Sequence, residues 1–307
     1  MTTSYQPAAT SYGGRRRGAV HLALLTVAAL FSVNYIVSKV TMGTITPLTF
    51  AYLRILGAAI VLNLLPHERV ALSRIDAWHL VLYAVLAVVI NQTFFLGGLA
   101  LTNAHIAAIL ITTVPVFTLA VAIMLGRERA TATKIGGIAL AAAGALIIVV
   151  GEGVRGSRRE LGGILLLIGN CLSFSFYLVL SKPMMARVSA RQVIARMFGA
   201  ASVILLPIAA FSLAREPWPA ITPRAWAGLA FVIAGPTVLA YLLNAWALRH
   251  ADSSLVAAYT YLQPALTAAL AAVFLGERIR VVAMVAALMI FAGVALAGSR
   301  RRIITES

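Results

Sequence analysis

"TVPVFTLAVAIMLGRER" runs from Thr113 to Arg129, and "LQPALTAALAAVFLGER" runs from Leu262 to Arg278. Each is apolar over most of its length, carries a proline near its start and closes on a Glu-Arg pair. Pro115 and Pro264 stand 149 residues apart, as do Thr118 and Thr267, and Glu128 and Glu277. A polar and helix-disturbing pattern that recurs at one fixed spacing marks an internal repeat.

The repeat extends outward from this pair. "FSVNYIVSK" at 31–39 is echoed by "FSFYLVLSK" at 174–182, and "RILGAA" at 54–59 by "RMFGAA" at 196–201. "AAGALI" at 142–147 returns as "FAGVAL" at 291–296, with Gly144 and Gly293 again 149 apart. Between these landmarks lie ten apolar segments, near 19–38, 46–65, 78–98, 104–125, 132–150, 161–181, 190–213, 226–247, 253–275 and 280–298. Each is about 20 residues, enough to cross about 30 Å of hydrocarbon as a helix. Period-two alternation, the mark of a membrane barrel, is absent.

Composition agrees with a membrane protein. The 307 residues are 61% hydrophobic and 11% charged, with a mean hydropathy of +0.95; soluble domains sit nearer half apolar and a quarter charged. The net charge of +16 does not indicate nucleic acid, because the basic residues fall in short clusters between apolar runs. Cys171 is the only cysteine, which excludes a disulfide within the chain and a cysteine metal cluster. No lysine follows a glycine ahead of Ser or Thr, so a P-loop is absent. No connection exceeds roughly a dozen residues, too short for a soluble catalytic or nucleotide-binding domain. The sequence therefore implies no cofactor, no metal and no enzyme.

The expected fold class is all-α and integral to the membrane, with ten helices as two five-helix repeats. Five is odd, so the second repeat enters the membrane from the opposite side, the arrangement of inverted-repeat carriers. Expected boundaries are a disordered N-terminus over 1–18, a first repeat over 19–150, a connecting loop over 151–160, a second repeat over 161–298 and a basic tail over 299–307. With the N-terminus in the cytoplasm, fifteen Lys and Arg lie inside and eight outside, which places both termini at the cytoplasmic side of the cell's inner membrane.

These landmarks resemble a known family. Each half has Ser-Lys ending its first helix, R-x-x-G in its second and P-x-x-T followed by Glu-Arg across its fourth. In that order they are similar to paired EamA domains of the drug/metabolite transporter superfamily, over about residues 19–298. The first half reads "LGRER" where the second reads "FLGER", a one-residue difference at the helix end. The resemblance implies a ten-helix carrier, often an exporter of amino acids or related metabolites.

Polar groups inside the spans are the default functional candidates. Asn34 and Tyr35 share a stripe of the first helix with Phe31 and Ser38, and Asn170 and Tyr177 form a similar stripe with Phe174 and Ser181 on the sixth. Asn91 and Gln92 come from the third segment, Tyr241 and Asn244 from the eighth. Arg54 and Arg196 lie in the second and seventh, suited to a carboxylate or phosphate or to capping carbonyls. Thr112, Tyr259 and Gln263 flank Pro115 and Pro264, whose missing N–H groups permit bends expected to act as gates or hinges. The same polar residues would also serve as interhelical glue. Lys39 and Lys182 are secondary candidates at helix ends, where snorkelling explains them equally well. His79 and His105 are expected at the interface, and Glu128-Arg129 and Glu277-Arg278 as ion pairs at opposite membrane faces.

No Asp or Glu lies centrally in a span, which disfavours a proton-coupled exporter of cations. The expected function is a carrier for a small polar metabolite, an amino acid or related zwitterion, by export or facilitated diffusion through alternating access. An antiporter of a phosphorylated metabolite or nucleotide sugar is the alternative within carriers; a non-transporting lipid-binding protein or enzyme is the alternative outside them. The expected partners are the substrate and membrane lipid, and small-residue runs such as Ala139 to Gly144 would permit a homodimer.

Overall fold

The computed structural model describes residues 14–65, 72–154, 157–185, 187–250, 259 and 261–298. Among them the regular structure is helical throughout. Helices are numbered by membrane segment: α1 Gly14–Thr41, α2 Pro47–Leu64, α3 Arg74–Ala84 continuing through a π-helical turn Val85–Ile90 into Asn91–Leu101, and α4 Ala104–Ile111 with Val114–Met124. The first half ends with α5 Ala132–Ile148 and a π turn Val149–Val154; the second half has α6 Arg158–Met185, α7 Ala190–Arg215, and α8 Pro223–Val232 continuing through a π turn Ile233–Leu239 into Ala240–His250. Last come α9 Leu262–Leu275 and α10 Val281–Gly298. Eight helical runs are long and apolar enough to cross a membrane; the described parts of α9 and α10 are shorter apolar helices.

Several ends lie beyond the apolar limits read from sequence. The first helix starts at Gly14 rather than 19, and α5 and α6 reach to Val154 and back to Arg158, into the stretch expected as a loop. Hydropathy marks the hydrocarbon, whereas the helix continues into the headgroup region wherever caps or charges satisfy its ends. Ser73 caps α3 in a reciprocal box with Asp76, while Thr131, Ser189 and Thr222 cap α5, α7 and α8. The expected start of the ninth segment, 253–258, and the termini 1–13 and 299–307 lie outside the described residues.

Packing exchanges partners between the halves. α1 packs on α8 and α9, as α6 packs on α3 and α4; α2 faces α7, and α5 faces α10. The last pair is the tightest. A Cβ on Gly137 would stand 2.6 Å from both the Gly293 carbonyl oxygen and the Ala297 nitrogen, and one on Gly293 would stand 2.6 Å from the Gly137 carbonyl oxygen and the Ala141 nitrogen. Small residues let two backbones touch where lipid supplies no hydrophobic push. Within the run Ala139 to Gly144, Ala141 and Gly144 are buried in this contact, with Gly144 against the Ala286 carbonyl, while Ala139 and Ala142 stay exposed.

Pro115 and Pro264 stand in first turns rather than helix interiors. Helix α4 is broken at Thr112–Thr113, and Pro115 occupies the first turn of its second piece; Pro264 lies in the first turn of α9. There a missing N–H costs nothing, because the first-turn donors have no intrahelical acceptor. At the break, the Ile109 and Leu110 carbonyls are taken by the N–H and hydroxyl groups of Thr112 and Thr113. Both helices end alike: Gly126 (φ 67°) and Gly276 (φ 64°) adopt the left-handed turn. The N–H of Glu128 then donates to Ala122, and that of Glu277 to Ala271, again 149 residues apart.

Candidate functional site

The π turns of α3 and α8 begin 148 residues apart, one in each half, at the depth of the central polar residues. In such a turn carbonyls lose their usual partners and a side chain is re-aimed. In α8 the Thr237 hydroxyl donates to the Val232 carbonyl at 2.7 Å, five residues back. Its oxygen in turn accepts from Arg54 Nε of α2 at 2.9 Å. Arg54 is 4% exposed, and its Nη1 has no hydrogen-bond partner among the described residues. Tyr241, one turn beyond Thr237, lies within electrostatic reach of both Arg54 and Tyr177. Tyr177 of α6 packs edge-to-face with Tyr83 and tilted against Phe174, at centroid distances of 5.9 and 5.5 Å. A buried cation with an unused donor, held between α2 and α8 with the Tyr241 phenol near it, is suited to an anionic group.

Other expected residues form a second polar layer. Asn34 is buried and its Oδ1 accepts from Ser38; Tyr35 is buried edge-on against Phe95 at 5.4 Å. Asn170 donates to the Asn91 carbonyl at 2.7 Å, below the π turn of α3. Gln92 is buried with Oε1 lacking a partner among the described residues. The Gln263 carbonyl accepts from Ser32, and Tyr259 contacts His21 at the start of α1. Asn244 and Arg196 are half-buried. The two arginines that repeat in sequence therefore differ in placement: Arg54 is enclosed and tied to α8, while Arg196 is partly open.

The ends of α1, α4 and α9 meet in a cluster that sequence reasoning placed only in part. Glu277 Oε1 accepts from Lys39 Nζ at 2.9 Å and from the Ala104 N–H at 2.9 Å. Its Oε2 accepts from the His105 N–H at 3.3 Å and lies 2.7 Å from His105 Nδ1. Lys39 also donates to the Thr102 carbonyl at 2.6 Å. His105, expected at the interface, is 1% exposed instead. Glu277 is an acidic residue at the positive N-terminal end of α4. Glu128, its repeat counterpart, pairs with Lys134 in an exposed contact at 2.7 Å. Both acids are ion-paired as expected, with partners other than the arginines that follow them. The signal for the Glu277 cluster was the order Lys39, His105, Glu277 at three span ends; nothing in it specified that they converge.

Burial would by itself raise the Glu277 carboxyl, yet bonds from His105, the Ala104 N–H and Lys39 hold it down, at about 2. A depressed carboxylate contributes stability above its unfolded value and loses it as pH falls through the folded one. Thermal stability of the purified protein is therefore expected to drop between about pH 4.5 and about 2, and Glu277→Gln to remove that part of the slope. An unchanged slope in the variant would show that Glu277 is not the group responsible.

The profile of the EamA-like transporter family matches twice, at residues 18–150 and 161–299. An uncharacterized transporter of Archaeoglobus fulgidus is 27% identical over 92% of this chain and 98% of its own length. The uncharacterized transporter YvbV of Bacillus subtilis is 26% identical over 94% and 93%, and the protein WALLS ARE THIN 1 of Arabidopsis thaliana 25% identical over 89% and 81%. A solved crystal structure shares the fold at a TM-score of 0.61 and 18% identity, covering 93% of this chain and 99% of that one.

Proposed function

The chain belongs to the EamA-like transporter family, and from that premise we propose that it is a non-enzymatic secondary carrier of a small metabolite with an anionic group, an amino acid or related zwitterion. It works in the cytoplasmic membrane with both termini inside, by alternating access between its two repeats. The observation that carries this reading is Arg54: a buried guanidinium with one arm held by Thr237 and another left without a partner. An unpaired buried donor is costly and is kept where a ligand completes it. Asn91, Gln92, Asn170, Tyr177 and Tyr241 supply further polar groups and rings for the remainder of the substrate.

The described acidic residues lie at helix ends, as Asp76, Glu160 and Glu216 do, which supports facilitated exchange over proton antiport. Counterflow in proteoliposomes tests both points. Labelled amino acids are expected to exchange, and sugar phosphates or nucleotide sugars to compete poorly; the reverse order would assign a phosphorylated substrate. Proton flux driven by substrate would overturn the uncoupled mechanism, and no counterflow of either class would favour a lipid-binding role.

Pro115 fits a hinge because it opens a helix directly after the break at Thr112–Thr113, and Pro264 stands in the first turn of α9, its repeat counterpart. Pro115→Ala allows the helix to propagate backwards through that break, and Pro264→Ala restores the missing N–H in the first turn of α9. The expected result is an altered exchange rate at near-normal folded yield, and unchanged exchange in both variants would remove the hinge role.

A further inference from the structure

The cluster at Glu277 and its repeat counterpart differ in a way the repeat itself does not explain. The same glycine turn presents both acids, with the backbone N–H of each bonded to equivalent carbonyls, Ala122 and Ala271. The lysines that end the first helix of each half also correspond, Lys39 to Lys182. At the face carrying Glu277, acid and lysine are joined at 2.9 Å, and Glu277 is 7% exposed. At the opposite face Lys182 is exposed, and Glu128 is 47% exposed and bound to Lys134 of its own half instead. The Glu128 turn nevertheless lies against α6, since Arg127 donates to the Val179 carbonyl, one turn before Lys182.

Side ties elsewhere do not share this asymmetry. Glu216 accepts from the Thr46 N–H and hydroxyl at the Glu277 face, and Asp76 pairs with Arg187 at 2.8 Å at the other. One face is thus latched through α1, α4 and α9, while the equivalent acid and lysine at the other are apart.

We propose that Glu277–Lys39 and Glu128–Lys182 are alternating latches: the first, completed by His105 and the α4 N-terminus, holds its face shut in the state seen here, and the second closes the opposite face in the other state. This rests on the alternating-access reading above. Each latch joins the end of a first helix in one half to the end of a fourth helix in the other, so only relative motion of the halves exchanges them. An ion pair at a partly buried face favours whichever state forms it, and its loss shifts the population accordingly. His105 has no counterpart, since the position 149 residues on is Ser254; the Glu277 latch is therefore the stronger, and its state is the resting one.

The test reads conformation rather than transport, so it stands apart from the substrate assignment. Thr102 is 6% exposed beside the Glu277 latch. A Thr102→Cys probe in the full-length carrier in nanodiscs is labelled with a maleimide, and the parent, whose Cys171 is fully buried, gives the background. Glu277→Gln is expected to raise the labelling rate about ten-fold and Glu128→Gln to lower it, effects within ordinary coupling between two states. Should Glu277→Gln fail to fold, Lys39→Gln serves the first arm. Equal labelling in all variants, or a rise in both, overturns the paired latch. Opposite shifts without any counterflow would uphold the latches while removing the carrier assignment.

Discussion

Arg54→Gln is expected to slow exchange ~10–100-fold while leaving the folded yield of the carrier unchanged or improved. The rate estimate follows from the loss of a charged hydrogen bond, about 1.5–3 kcal/mol. The stability estimate follows from burial: a guanidinium at 4% exposure with Nη1 unpaired carries a desolvation cost that its single bond to Thr237 does not offset. Glutamine keeps a donor for Thr237 and removes the charge. Arg54→Lys should rescue poorly, because a point charge cannot hold Thr237 and a substrate oxygen with separate arms. Counterflow and thermal unfolding on the same preparations check this. Full exchange by the glutamine variant would show that the anion is bound elsewhere.

Gly137→Val should abolish the folded protein rather than its activity alone. The first added atom would stand 2.6 Å from two backbone atoms of α10, and backbone cannot rotate away as a side chain does. Separating α5 from α10 costs at least the ~1–3 kcal/mol typical of overpacking, with further loss of contact along both helices. Gly162→Ala in α6 is the matched control, since nothing lies within 4 Å of its Cβ position. Size-exclusion profiles of detergent extracts distinguish the outcomes: collapse of the Gly137→Val peak beside a normal Gly162→Ala peak is expected, and two equal peaks would refute the argument.

Membrane segments were legible because hydrocarbon thickness imposes a length and a composition on each. The repeat was legible because Gly144 and Gly293 face close backbone contacts and Glu128 and Glu277 occupy equivalent turns, constraints that preserve residue type. The disturbance before Pro115 was legible in its missing N–H, but not that the helix breaks outright at Thr112–Thr113, where two hydroxyls join the backbone donors. The π turns were not legible. Val85–Ile90 has no proline or glycine, and only the Gly-Pro-Thr at 235–237 hinted at the second. Arg54 stood out as a polar group in the membrane, yet its partner Thr237 did not, because threonines bonding to their own helix are common and carry no separate signal. The convergence of Lys39, His105 and Glu277 depends on how three helix ends meet, and spacing along the chain does not encode that.

The π turn of α8 holds one residue more than the α-helical path needs. Every side chain beyond it is therefore rotated by about 100° relative to an uninterrupted helix. Tyr241 and Asn244 owe their bearings to this count as much as to their identity. A relative that lacked one residue here would direct different side chains toward Arg54 with every named residue still present. Substrate choice in such a carrier is then set partly by arithmetic along the backbone, and comparisons of lining residues hold only between chains whose third and eighth helices contain the same number of steps.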